Sequence, residues 1–122
     1  MCSYNAINGV PACAEPRLLN GVLRNASGFS GFVVSDYDAW SDIKESYHVC
    51  DTLECAAAAG LNAGMEMEGG GGRVVAAIPN AVSQGLVSQA IRGRGSFLVA
   101  PLRSDEHCAW ILQDLFSKTS CL

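Results

Sequence analysis

Imidazole is nearly absent from this chain. His48 and His107 are its only histidines, and none of the cysteines at 2, 13, 50, 55, 108 and 121 stands in a CxxC pair. A zinc site or other metal centre is therefore not expected. Positive charge is scarce too. Eight Lys and Arg against twelve Asp and Glu leave a net charge of −4, and the basic residues form no stripe. That pattern argues against nucleic acid as a partner. No run approaches the roughly 20 apolar residues of a membrane span; Phe32-Val33-Val34 and Cys55 to Ala59 are among the longest. The opening Met1-Cys2-Ser3-Tyr4-Asn5 has neither a basic nor an apolar leader region, so no secretory signal is expected in this chain. Glycine and proline recur without a strict period, which excludes a collagen repeat.

What is present is core material. Hydrophobic residues make up 49% and charged residues 16% of the 122, so the chain is not disordered as a whole and forms one domain or less. Met1 to Asn5 reads as a strand end. Ala6 to Pro16, with Asn8-Gly9 and two prolines, reads as loop. Leu18, Leu19, Val22 and Leu23 predict a short amphipathic helix. Gly31 to Ser35 predicts a strand buried on both faces. Asp51 or Thr52 caps a helix that continues through Cys55 to Ala59. Residues 64–68 predict a weak third strand, Gly69 to Gly72 a loop, and Val74 to Leu86 a helix interrupted by Pro79 and stopped by Gly85. Strand ends near 5, 35 and 67 repeat about every 30 residues, the period of a (β/α)8 barrel. The expected class is α/β with a parallel sheet, and three strand–helix units make an incomplete barrel. After Gly93 the pattern breaks. Phe97 to Pro101 is apolar without clear period, and Trp110 to Phe116 predicts a small amphipathic helix. Six cysteines allow 15 pairings. Cys2 and Cys13 flank a turn that either a disulfide or two thiols would suit.

Asp36 follows a buried strand directly. In parallel α/β folds such positions line the active site, where a carboxylate serves as nucleophile, base or metal ligand. Asp38 and Asp42 read as loop or capping residues, and no third ligand has the spacing for a metal site with Asp36.

The blocks Met1-Cys-Ser-Tyr-Asn-Ala-Ile-Asn-Gly-Val-Pro-Ala-Cys-Ala, Leu18-Leu19-Asn20, Leu23-Arg24, Gly28 to Asp36 and Ala57 to Glu68 resemble glycoside hydrolase family 3. Cys2, Cys13 and Asn8-Gly9-Val10-Pro11 are most similar to its β-xylosidase branch. The resemblance covers residues 1–92 and leaves 93–122 as a divergent tail. It implies the last three strand–helix units of an eight-stranded barrel and the hydrolysis of O-glycosyl bonds in an oligosaccharide or β-glycoside. It implies no cofactor. Asp36 matches the catalytic nucleophile of a retaining, exo-acting enzyme. Tyr4, Met1 and Tyr37 match substrate-binding positions around the sugar. The full-length family is expected to be extracellular.

Departures from the family pattern are specific. The earlier strands that grip sugar hydroxyls are not in this sequence, nor is the following domain that carries the acid/base glutamate. Glu66 and Glu68 follow the last strand and are candidates to face the pocket; the family usually has Asp at the first, and neither serves as the acid. A common Trp before Gly28 is replaced by Asn25-Ala26-Ser27, a glycosylation sequon. The arginine-rich helix expected after Ile91 is missing. Two other readings compete with an enzyme segment: a non-catalytic carbohydrate-binding or regulatory remnant, and a truncated gene product without function. The 122 residues alone are expected to be inactive.

Overall fold

A computed structural model describes residues 1–87, residue 91 and the backbone of 98–100. The expectations for Trp110 to Phe116, for Cys108 and Cys121 and for most of the tail lie outside the described residues.

The chain starts with a small hairpin, β1 (Ala6–Ile7) and β2 (Val10–Pro11), paired antiparallel with Ile7 opposite Val10. This corrects the reading of Ala6 to Pro16 as plain loop. Asn8 and Gly9 both take positive φ (51° and 83°), the two-residue turn whose twist matches paired strands. Cys2 and Cys13 are joined across the hairpin by a disulfide, with Cα atoms 5.3 Å apart. A 3-10 turn (Ala12–Ala14) follows, then a π-helix (Arg17–Ala26). Leu18, Leu19 and Leu23 pack on the core, whereas Val22, read as part of the same apolar pattern, is exposed.

Next come α1 (Asp42–Glu45) and α2 (Leu53–Ala63). The Thr52 hydroxyl accepts the Cys55 N–H at 3.2 Å, and Gly64 ends α2 at φ 114°. A second disulfide joins Cys50 to Cys55. Gly60 is required by packing. A Cβ there would run into the indole of Trp40, whose Nε1 donates to the Ala56 carbonyl at 2.9 Å. β3 (Met67–Gly69) leads to α3 (Arg73–Ser83), which continues through Pro79 on its exposed side and ends before Gly85, φ 73°. β4 is Leu98–Ala100.

Parallel pairing runs through the chain in sequence order. Cys2 bridges Ser35, Val34 bridges Met67, and Met67 in β3 stands opposite Leu98 in β4. Successive partners lie about 30 residues apart, with a helix in every interval. The α/β class therefore holds. Two differences stand out. The first predicted strand shrinks to one bridging residue, Cys2, and the second to two, Val34 and Ser35; Phe32, read as buried, is 57% exposed because only Val33 and Ser35 turn inward. The divergent tail supplies a parallel partner, β4, that its lack of period concealed. Trp40, Ile43, Leu61, Met65, Val74 and Ile78 form the core between the bridged strands and helices α2 and α3.

Candidate active site

Asp36 leaves the parallel array on the side where the strands run out. Its backbone N–H donates to the Cys2 carbonyl at 2.9 Å, which fixes its height beside the first strand. Its carboxylate Oδ1 accepts the Tyr37 N–H at 2.8 Å. Two residues past Cys2, Tyr4 donates its hydroxyl to the Tyr37 carbonyl at 2.6 Å. The peptide groups flanking Tyr37 thus hold both Asp36 and Tyr4. Tyr47 completes the arrangement: its hydroxyl donates to the Tyr4 carbonyl at 2.6 Å. The sequence offered no signal for Tyr47, which stands 43 residues from its acceptor.

Tyr4 and Tyr37 are 48% and 55% exposed, so both rings border solvent beside the half-buried Asp36. Met1 is exposed one residue before Cys2, level with Val34 in the register and not with Asp36. The Tyr4 phenol is pushed up from its ordinary value, first by burial and then by the negative charges of Asp36, Asp42 and Asp38. It therefore stays a hydrogen-bond donor at neutral pH.

Four other carboxylates stand near the strand ends. Asp38 has φ 58°; its N–H reaches the Gly69 carbonyl at 2.9 Å and its carbonyl accepts the Ser41 hydroxyl at 2.8 Å. Asp42 opens α1 and accepts the Ser46 hydroxyl. Both lie in the loop region as expected, but neither is the cap of α1: that position is Ser41, without a side-chain cap bond, and Asp38 Oδ1 is buried with no hydrogen-bond partner among the described residues. Glu66 and Glu68 do not face the pocket, which corrects their reading as pocket candidates. Glu66 is bound by Arg24 at 2.6 Å and by the Val33 N–H at 2.9 Å, on the side where the strands enter. Glu68 is fully buried under α3 and accepts the Val74 and Val75 N–H groups at 3.3 and 2.8 Å. It satisfies donors that a helix start leaves open, in place of a side-chain cap at Gly72. Burial pushes its carboxyl upward, against the pull of those two N–H groups. A solvent-bordered carboxylate flanked by two tyrosines can attack an electrophilic carbon, and the rings can bound a small polar substrate.

Comparison with known proteins identifies the family. The family described as glycosyl hydrolase family 3, N-terminal domain, matches residues 1–92. The β-xylosidase/α-L-arabinofuranosidase 2 of Medicago sativa subsp. varia is 41% identical over 92 residues, 74% of this chain and 12% of that protein. The exo-1,4-β-xylosidase of Emericella nidulans is 47% identical over 73 residues, 57% of this chain and 10% of that protein. Among solved structures, a β-glucosidase from Erythrobacter marinus superposes with TM-score 0.67 at 39% identity, covering 72% of this chain and 12% of that one. A family 3 exo-β-xylosidase in complex with a xylobiose aziridine activity-based probe gives the same score at 29% identity, covering 77% and 13%. The chain thus spans about an eighth of the relatives and structures it matches.

Proposed function

The chain belongs to glycosyl hydrolase family 3, through its N-terminal domain, and on that premise we propose that it carries the nucleophile segment of a retaining, exo-acting β-glycosidase of the β-xylosidase type. The observation that supports this most is Asp36 at the outgoing end of the parallel array, with Tyr4 and Tyr37 bordering it. In this reading the array is a sector of an eight-stranded barrel whose other strands complete the sugar pocket.

The chemistry runs in two steps. The Asp36 carboxylate attacks the anomeric carbon as the glycosidic C–O bond breaks, giving a glycosyl ester. Water then attacks the same carbon and releases the carboxylate, with net retention. The Tyr37 N–H holds one carboxylate oxygen, so little reorganisation accompanies attack. Tyr4, neutral and donating, and Tyr37 line the sugar, with Met1 as an apolar neighbour. Leaving-group protonation needs a second carboxylate about 5 Å from the first. In this reading that acid is the glutamate of the following domain, as the family resemblance implies.

Two measurements test the reading. Residues 1–92 are grafted in place of the matching segment of the Medicago xylosidase. Turnover of a nitrophenyl β-xyloside is expected to persist, and Asp36→Asn in the graft to lower it on the order of 10⁴-fold or more. A folded graft indifferent to Asp36→Asn overturns the assignment. The isolated 122 residues are expected to show no measurable turnover. General acid catalysis is worth roughly 10²- to 10⁴-fold, and substrate positioning about 7–11 kcal/mol, the larger loss. Turnover by the isolated chain that vanishes with Asp36→Asn would show that these residues suffice.

A further inference from the structure

We infer that Asn25 is an N-glycosylation site, on the side of the array opposite Asp36. Asn25-Ala26-Ser27 is the only Asn-x-Ser/Thr triplet in the sequence, and its residues are all exposed at the end of the π-helix. Exposure continues without a break through Phe32. Gly28 takes φ 68° with nothing within 4 Å of a Cβ placed there, so the surface beside the sequon is open. The half-exposed ring of Phe29 and the exposed ring of Phe32 give the first sugars an apolar surface to cover.

A second observation supplies the compartment. Cys2–Cys13 and Cys50–Cys55 are joined as disulfides, with Cys2, Cys13 and Cys50 buried. Such bonds form on the oxidising secretory route, where N-glycosylation also takes place. Topology then fixes the location. Residues 25–32 feed the strand at Val33 from its entry side, whereas Asp36 leaves the exit side. A glycan on Asn25 would leave the candidate pocket open. The inference does not depend on the catalytic reading of Asp36.

In the reaction, the Asn25 carboxamide nitrogen attacks the anomeric carbon of an oligosaccharide carried on a polyisoprenyl diphosphate. The C–N bond forms as the bond from that carbon to the diphosphate oxygen breaks. The lipid diphosphate leaves, and the amide nitrogen gives one proton to a base. No electrons are gained or lost.

The test expresses the 122-residue chain behind a heterologous leader in a eukaryotic secretory host, followed by peptide mapping after amidase release in ¹⁸O-water. Most of the secreted, disulfide-bonded chain is expected to carry one glycan, at Asn25, released without denaturation. Asn25→Gln and Ser27→Ala should each abolish the electrophoretic shift. Ser27 also donates to the Val22 carbonyl, so Asn25→Gln serves if Ser27→Ala fails to fold. A secreted chain with both disulfides and an unmodified Asn25 overturns the inference, as does a glycan released only after denaturation.

Discussion

The two ends of the parallel array treat charge in opposite ways. At the entry end, Arg24 and Glu66 are 14% and 25% exposed and paired with each other. Arg24 also donates to the Gly31 and Gly64 carbonyls, and Glu66 to no one but accepts the Val33 N–H, so one ion pair fastens the π-helix, the second strand and the exit of α2. At the exit end, Asp36 stands in no ion pair among the described residues, its carboxylate accepts a backbone N–H, and its charge acts on the Tyr4 phenol. Neutralised charge holds structure together; charge left without a counter-ion at a solvent-bordered position is available for chemistry.

The largest expected effect lies at the entry end. Arg24→Leu leaves Glu66 half-buried without its cation and frees two carbonyls. A loss of about 3 kcal/mol is expected, read as a lower urea midpoint. That is a large share of a small domain's stability. Arg24→Lys should recover only part of it, because an ammonium cannot reach acceptors spread as the guanidinium's are. A loss smaller than that of any exit-end variant would break the contrast.

Glu68→Gln sharpens it. One of the Val74 and Val75 N–H groups would meet an amide nitrogen in place of an oxygen, at about 1–2 kcal/mol. The pH dependence carries a sign. Burial raises the folded-state value of Glu68, helped by Asp38 and opposed by the two N–H groups and Arg73. A raised folded value means stability present below the ordinary carboxyl value of 4.5 and lost as pH rises through the folded one. The advantage of Glu68 over Gln should therefore shrink as pH rises. Glu15, lowered by Arg17, and Glu45, lowered by Lys44 and Arg73, act oppositely but equally in both proteins. Stability curves of the two proteins across mildly acid pH, differing by a constant, would show that Glu68 does not titrate differently on folding.

How much of this was legible in the sequence follows the range of each interaction. The Thr52 cap and the alanine run are local to one helix, so its start and its course through Ala59 could be read directly, while its last turn, to Ala63, could not. Parallel order showed in the period of about 30 residues. The hairpin was also legible, in Asn8-Gly9, but two prolines argued more loudly for loop. The π-helix was not, because its leucines fit a 3.6-residue period as well as any α-helix. Glu66 and Glu68 misled for a different reason. Next to a strand end, a carboxylate reads as pocket-facing until its partner is known, and Arg24 is 42 residues from Glu66. Tyr47 had no local signature at all.

Tyr47→Phe is a smaller perturbation. It deletes one hydroxyl that meets the Tyr4 carbonyl on an exposed surface. A destabilisation of about 0.5–1 kcal/mol is expected, with a changed NMR shift for the Tyr4 amide region. A cost approaching that of Arg24→Leu would make the exit end a folding element too.

The smallest effect on stability is expected at the residue assigned to chemistry. Asp36→Asn keeps an oxygen to accept the Tyr37 N–H and removes a charge from a group of like charges. The melting transition should move by no more than the equivalent of about 0.5 kcal/mol. Tyr4 reports the change instead. Burial is the first cause of its raised value and Asp36 the second, with Asp42 and Asp38 behind it. Removing the Asp36 charge should let the phenol ionise at lower pH, while burial and the other two carboxylates keep it above the ordinary tyrosine value. Ring-resonance titration of Tyr4 by NMR separates these contributions. If Tyr4 titrates unchanged, Asp36 is not where its carboxylate acts on the phenol. If instead the variant unfolds readily, Asp36 holds the fold as Arg24 does, and the distinction between the two ends disappears.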